Sequence, residues 1–486
     1  MNYLVRANYS EGHLVPVKAI HYRFIPIVLL LVSAAPALAQ QPLIITLPRT
    51  SPFAGGVPSG TATPEPITLT IVEAVTRSLQ HNLGVVMAEQ GTAAANGDRL
   101  VALSRLLPNV SGSVTESRRK SNLEAFGFPL QPGFPRVVGP FNVFDARLSV
   151  SQTIFDADAS NEHSAALHRL EAAKHNYREA RSIVVLASAN AYLQALASQA
   201  QAAAAAAQLA SSKAIHQQAI DLRSGGIVAG IDVVRAEVRV SLDQQRSTAA
   251  ANNAQKAKLQ LARLIGLPLG QEFALVENIP LVPDPTITLQ AALDQAYVNR
   301  SDYQAALEEL KAAEASRKAA VGDQWPAVRV NADYGAIGLT PSTSLPTFNV
   351  TGAIEVPIFD GGRQRGRVAQ ATAELQRRTA LVADLKALVY YDVRNAFLDL
   401  EATRQQRDAA ARGRELAEQS LQQSRDRFAA GVASNVEIVQ AQETLAVATE
   451  QSISAQYGYS VAKALLAQSI GSAEEVLQQA VKGSTP

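Results

Sequence analysis

The 486-residue chain contains no cysteine, one tryptophan and two methionines, and aromatic residues account for only 5% of it. Without cysteine there is no disulfide to staple a small exported domain, no thiolate to hold zinc, and no cysteine to carry a lipid at a processed N-terminus. So few aromatics leave little bulk for compact cores. A charge surplus is missing too: 44 basic residues face 43 acidic ones, so nothing in the balance points to nucleic acid as a partner. No apolar run of transmembrane-helix length follows Ala39, and contact with a membrane must come through β-strands or through the surface. Gly225-Gly226 and Gly361-Gly362 lack the lysine and hydroxyl of a phosphate loop, and no serine has nucleophile-elbow spacing. Five histidines lie beyond residue 39: His81, His163, His168, His175 and His216. With no i, i+4 pair among them and no cysteine, they read as solvated helix faces, and neither a metal nor a cofactor is expected.

What is abundant is alanine, glutamine, leucine, arginine and glutamate, which favour long packed helices because small side chains let helix axes approach closely. At the N-terminus, Lys18 and Arg23 precede the apolar run 24–31, and Ala37-Leu38-Ala39 stands ahead of Gln40. This is the order of a secretory signal, expected over 1–39 and cut after Ala39. The stretch 24–39 is short of the roughly 20 residues that span a bilayer as a helix. Pro42, Pro48, Pro52, Pro58, Pro64 and Pro66 then predict an extended arm over 40–66.

Above all, the second half repeats the first. Ile67-Thr68-Leu69 returns as Ile287-Thr288-Leu289 after 220 positions, Pro108 with Val110 as Pro326 with Val328 after 218, and Ile154-Phe155-Asp156 as Ile358-Phe359-Asp360 after 204. Gly226 and Ile265-Gly266 return as Gly431 and Ile470-Gly471 after 205. A tandem duplication therefore organises the fold: repeat 1 over 67–270, a linker over 271–286, repeat 2 over 287–472 and a tail over 473–486. The displacement changes mainly between Pro108 and Ile154, which predicts a surface loop of unequal length there.

Each copy predicts the same order of elements. A moderate helix runs over about 69–106 or 289–321 and ends at Pro108 or Pro326, since proline cannot continue a helix. The apolar period then falls to two, as in Val328, Val330, Ala332 and Tyr334 and again from Phe348 to Ile358, giving two strands per copy around a loop. Phe126, Phe128, Phe134 and Phe141 punctuate the first loop, and the second spans about 335–346. Asp156 and Asp360 open long helices, predicted to reach about Ser224 and Ala429, on the order of 100 Å at 1.5 Å per residue. Leu170, Tyr177, Val184 and Ala191, like Val368, Leu375, Val382, Val389 and Ala396, recur every seven residues, the spacing of coiled-coil packing. After a glycine turn a second moderate helix follows, about 232–266 in the first copy. The two moderate helices together match one long helix, so each copy predicts a continuous rod against a rod in two pieces.

Four strands cannot close a barrel, and an open edge in hydrocarbon leaves backbone groups unpaired at a cost of several kcal/mol each. Either several chains share one barrel, or the strands form a soluble sheet capping a periplasmic coiled coil.

Leader, duplication, strand pairs and helical hairpins together resemble the TolC-type outer-membrane efflux protein family over about 67–471. The most specific stretches are Val356-Pro357-Ile358-Phe359-Asp360-Gly361-Gly362, and Arg427-Phe428-Ala429-Ala430-Gly431-Val432 leading through Glu437 to Ala441-Gln442. The resemblance implies a mainly α fold with transmembrane β: a homotrimer whose long coiled-coil hairpins form an α-barrel through the periplasm and whose strands share one twelve-stranded barrel in the outer membrane. It implies an exit duct of tripartite efflux or type I secretion systems, a passive conduit with no enzymatic role, joined by a periplasmic adaptor to an inner-membrane pump. Both hairpin loops would then face the cell exterior. A periplasmic adaptor or scaffold is the alternative, but it should show one helical hairpin and a lipoyl-like β-domain.

On the matching positions, the resemblance assigns adaptor docking to Gly226, Ile227, Gly431 and Val432 at the helical turns. Six residues past each glycine stand Asp232 and Glu437. As plain structure they are first-turn acids, Glu437 with Ser434 in capping-box spacing; the resemblance makes them part of the narrow periplasmic mouth. Three copies would form a ring of Glu437 able to repel itself or recruit a cation. The chain departs from some relatives by carrying Gln440 for a second acid and Phe428 for a tyrosine. Phe428 has no hydroxyl to donate, so a gate with fewer polar latches is expected.

Overall fold

The structure, a computed structural model, describes residues 48, 50–127, 135–276, 287–430, 432 and 435–475. The chain divides into two units, Met1–Gln41 and Pro42–Pro486, and the described residues belong to the second. The expected leader over 1–39, most of the linker, Phe128, Phe134, Gly431 and Ser434 lie outside them.

In chain order the elements are β1 (Ile67–Leu69), α1 (Ile71–His81), α2 (Leu83–Ser104), β2 (Asn109–Asn122), β3 (Val137–Phe155), α3 (Ala157–Ser224), α4 (Gly230–Leu264) and β4 (Phe273–Leu275). They continue with α5 (Leu289–Asn299), α6 (Ser301–Gly322), β5 (Ala327–Gly338), β6 (Leu345–Glu355), α7 (Arg363–Ala429) and α8 (Asn435–Ile470). The long helices α3 and α7 hold 68 and 67 residues. Together α1, α2 and α4 hold as many residues as α3, and all three pack along it; α5, α6 and α8 pack along α7 in the same way. The halves meet where α3 lies against α6 and α8.

The moderate helices differ from expectation, because each is broken. Thr70 and Glu73 form a reciprocal capping box that starts α1 after the short strand β1. Asn82, in extended geometry, ends α1 and caps α2 through the Gly84 amide at 2.9 Å. Arg300 breaks the second copy at the matching place. The arm, expected to be extended, lies across the first break: Gly56 N donates to Arg263 O at 2.7 Å and Val57 N to His81 O at 2.8 Å. A Cβ on Gly56 would stand 2.6 Å from the Gly266 amide nitrogen, so only glycine allows this approach. β1 and β4 pair in parallel, a link that alternation over three residues could not announce. Tyr192, fully buried in α3, holds its hydroxyl 2.8 Å from both Leu69 O and Val276 O, which share its one proton, and so fastens both strands of that pair to the rod at one end.

Asp156 caps α3 through the Ala159 amide at 2.9 Å. α7 starts at Arg363, later than expected, because Gly361 and Gly362 take φ of +68° and +90°; Asp360 still accepts from Gly362 N and Gln364 N. Two further expectations need correction. α3 is, by length and composition alone, apolar enough to cross a membrane, but 61% of its apolar window is buried inside the protein, as suits a rod enclosed by α2, α4 and α6. The five histidines, four of them on this rod and His81 at the end of α1, are half-buried rather than solvated, and His168 Nδ1 lies 2.7 Å from Glu308 Oε2.

The strands form one antiparallel sheet in the order β2-β3-β5-β6. β6 ends at Glu355 rather than Ile358, ahead of Pro357, which cannot donate to a ladder. The unequal spacing between the copies is only partly a loop: β3 has 19 residues and β6 has 11. Phe141 and Gly335, expected in loops, lie in β3 and β5. Val110, Val150, Ala332 and Val350 form one cross-strand row, and Gly112, Leu148, Tyr334 and Phe348 another on the same face. Alternate rows are polar: Ser111, Ser149, Asp333 and Asn349 stand abreast, and Arg147 bridges Asp145 and Asp333.

Two outcomes follow from these contacts. Tyr192→Phe keeps the packing volume but removes the donor that Leu69 O and Val276 O share, while Leu69 O still accepts from Val276 N, and should cost about 1–2 kcal/mol; thermal unfolding of purified protein measures it, and an unshifted midpoint would show that the β1–β4 link carries no weight. Glu179, on α3 beside the Arg300 break, is pushed up from 4.5 to about 7 by burial and by the neighbouring Asp302. Between those values the native chain holds a proton that the unfolded chain has released, so stability falls as pH rises through about 4.5 to 7 and then levels. Glu179→Gln should flatten that slope in denaturant midpoints taken from pH 4.5 to 8; an unchanged slope would place the proton elsewhere.

Candidate functional site at the helical turns

Both long helices end in the same way. Past α3, Gly226 takes φ +75°, its amide donates to Arg223 O at 2.9 Å, and Ile227 N reaches back to Leu222 O at 2.9 Å. This is the double closure of a Schellman turn, which needs a left-handed residue and so favours glycine. Past α7, Val432 N reaches back to Arg427 O at 3.0 Å, the equivalent longer bond. Ile227 and Val432 therefore occupy matching positions, and both are largely exposed, at 70% and 66%. Nothing lies within 4 Å of a Cβ built on Gly226.

Asp232 is the third residue of α4, and its carboxylate meets Arg235 at 3.3 Å. Glu437, third in α8, meets Arg427 of α7 at 3.1 Å across the turn. Both acids sit in a first turn, where the helix dipole favours negative charge. The Arg427–Glu437 pair is well exposed, so it contributes at most about 1 kcal/mol. Phe428 packs with Ile215, Leu421, Ile438 and Ala441, where a ring without a hydroxyl is at home. Gln440 is exposed.

About two to four helical turns beyond Asp232 along α4 lies a cluster that spacing alone did not bring forward. Arg239 and Asp243, both almost fully buried, pair within α4 at 2.9 Å, while Arg239 also reaches Glu443 on α8. Arg246 holds the same Glu443 through two bonds at 2.7 and 2.8 Å, and Ser212 of α3 donates to Asp243. The hydrogen bond from Arg246, joined by that from Arg239, holds Glu443 down to about 2. Arg239 Nη2 and Asp243 Oδ1 are buried without a hydrogen-bond partner among the described residues. The i, i+4 spacing of Arg239 and Asp243 is visible in the sequence. Their burial is not, because it depends on α3 and α8 closing over them.

The fold matches that of solved outer-membrane channels. Against the Campylobacter jejuni channel CmeC the TM-score is 0.71 at 18% identity, covering 85% of this chain and 88% of that one. Against VceC of Vibrio cholerae it is 0.70 at 19% identity, covering 82% and 96%. In sequence, the chain is 23% identical over 407 residues to the pyoverdine export outer membrane protein OpmQ of Pseudomonas putida, spanning 82% of this chain and 84% of that protein. It is 23% identical over 365 residues to the alkaline protease secretion protein AprF of Pseudomonas aeruginosa, spanning 71% and 74%. The family pattern of the outer membrane efflux proteins matches residues 74–267 and 292–472, one stretch in each half. Those two stretches make up most of the chain, which belongs to the outer membrane efflux protein family and is an outer-membrane exit duct.

Proposed function

We propose that the chain works as a homotrimer whose sheets close one twelve-stranded barrel in the outer membrane and whose helices continue as a periplasmic tunnel. The observation that carries this reading is the sheet itself. Its apolar face is bare, with Tyr334, Phe348 and Val350 each about two-thirds exposed or more, and the outer edges of β2 and β6 pair with no strand among the described residues. Lipid suits that face, but only sister chains can pair those edges. On α7, Leu381, Leu388, Tyr391 and Leu398 are exposed at three- and seven-residue intervals, a second stripe that another helix would cover.

In this reading the duct is passive and performs no chemistry. A periplasmic adaptor docks beside the helical turns at Gly226, Ile227, Gly431 and Val432, and an inner-membrane pump supplies the energy. The matching exposed positions of Ile227 and Val432 support two equivalent docking points per chain. Relatives named for pyoverdine export and for alkaline protease secretion handle cargoes of very different size, so selectivity is assigned to the pump. A soluble scaffold is disfavoured by two equivalent helical hairpins and two strand pairs.

The mouth is the second part of the proposal: three copies of Glu437, with Asp232 nearby and with Gln440 and Phe428 contributing no charge, form a ring that binds cations. Purified from outer membranes in detergent, the protein should run as a trimer and give ion conductance in planar bilayers; a monomer released by osmotic shock would sink the duct. Glu437→Gln should weaken block by divalent cations and change open probability while leaving thermal stability within about 1 kcal/mol, since it removes only an exposed pair. Unaltered block and open probability would refute the ring.

A further inference from the structure

Closure of the sheet by sister chains rests on the function proposed above, but which residue meets which is a separate matter, and the internal repeat answers it. β2 pairs with β3 so that Val110 lies opposite Val150 and Val114 opposite Ala146. β5 pairs with β6 so that Val328 lies opposite Ile354 and Ala332 opposite Val350. The second register is the first moved by the repeat displacements, 218 positions for β2 to β5 and 204 for β3 to β6. Both halves thus build one hairpin in one register. Among the described residues there is one junction between hairpins, β3 against β5, and not its counterpart, β6 against a following β2.

We propose that the missing junction repeats the internal one, so that β6 pairs antiparallel with the edge strand of a second copy and Ile354 lies opposite the partner's Val114. Within the chain Val150 lies opposite Ala332. Moving the first forward by 204 gives Ile354, and moving the second back by 218 gives Val114. The same step sets Ala353 opposite the partner's Thr115 and Asn349 opposite the partner's Arg119.

Three features of the free edges fit this register. Ile354 and Val114 are 71% and 72% exposed in the single chain, and both belong to the apolar face, so their pairing makes the lipid-facing surface continuous. Two prolines bracket the transferred ladder. It begins at Phe348, two residues past Pro346, and ends at Pro357, the counterpart of Thr153, where the β3–β5 register shifts. Proline can sit at such ends because no donor is needed there. The helices below follow the same rule: α3 lies against α6 between the halves, so α7, with its exposed stripe, would lie against the partner's α2. That helix leaves Met87, Leu100 and Val101 exposed in the single chain.

The absence of cysteine makes the test clean. Residues directly opposite in an antiparallel pair have Cα atoms about 4.5–5.5 Å apart, within disulfide reach, whereas a slip of two residues displaces them about 7 Å along the strand and leaves them about 8–9 Å apart, beyond it. With Ile354→Cys and Val114→Cys in the full chain, oxidation in outer membranes should give covalent dimers and trimers on non-reducing gels, and Ala353→Cys with Thr115→Cys should do the same. Ile354→Cys combined with Gly112→Cys or with Glu116→Cys should stay largely unlinked. Val150→Cys with Ala332→Cys links within one chain and reports a folded sheet. If a slipped pair forms the ladder of species in place of the Val114 pair, the register is overturned while the shared barrel stands. If the within-chain pair links, no pair links between chains and the protein sediments as a monomer, the trimer itself is wrong.

Discussion

Unpaired backbone groups at a sheet edge in hydrocarbon are the constraint on which the rest of this structure depends. Each costs several kcal/mol, with no water present to satisfy it. The four strands satisfy one another at three junctions and leave β2 and β6 open, so the sheet is complete only among copies. That condition reaches down the molecule. Strands that close into a ring carry the helices attached to them into a ring as well, and the helices then present outward-facing stripes to neighbours at the same interval as the strands. In the proposed assembly, the exposed leucines of α7 and the open edge of β6 both answer to one neighbouring copy.

The duplication lets one interface design serve twice. Where sheet meets rods, Arg105 and Arg367 converge on Asp158 at 2.8 and 3.2 Å, Arg367 also reaches Asp323 at 2.6 Å, and Arg329 approaches Asp156 at 3.6 Å. These charges come from both halves and sit where strands give way to helices. Exposed ion pairs stabilise little singly, but a network fixes the angle at which each strand enters its helix. The equal residue content of α3 and of α1, α2 and α4 together has a similar effect, because both rods of a half then end at the same level.

Much of this was legible in the sequence. The change of apolar period at Pro108 and Pro326, the aspartates at the strand-to-helix junctions and the glycines at the turns all act through local backbone chemistry, which short stretches record. The breaks at Asn82 and Arg300 were not legible, since neither carries the glycine or proline that usually marks a stop. Asn82 caps α2 while its amide donates to Phe53 O of the arm at 3.1 Å, and Arg300 is buried between Asp302 and Asp392. The β1–β4 pair escaped for a related reason: its partners stand some two hundred residues apart, and neither is long enough to show alternation. At the turns, the positions of Ile227, Val432, Asp232 and Glu437 could be read, whereas the burial of Arg239 and Asp243 depends on three helices at once.

That buried cluster bears on how the two helical hairpins are held. At the turns Asp232 meets Arg235 within α4, and Arg427 meets Glu437 within the hairpin of α7 and α8. The bonds from Arg239 and Arg246 to Glu443 instead cross from one hairpin to the other, as does the packing of Ile215 with Leu421 and Ile438. Apolar residues of the same volume would hold α4 to α8 at least as strongly, because burying charge is costly even when it is paired. What charges add is direction: Glu443 accepts from two arginines about two helical turns apart, so sliding α8 along α4 by one turn would take a carboxylate from buried Arg239 and leave it Asp243 alone. The cluster thus favours one axial register of the hairpins beyond the turns.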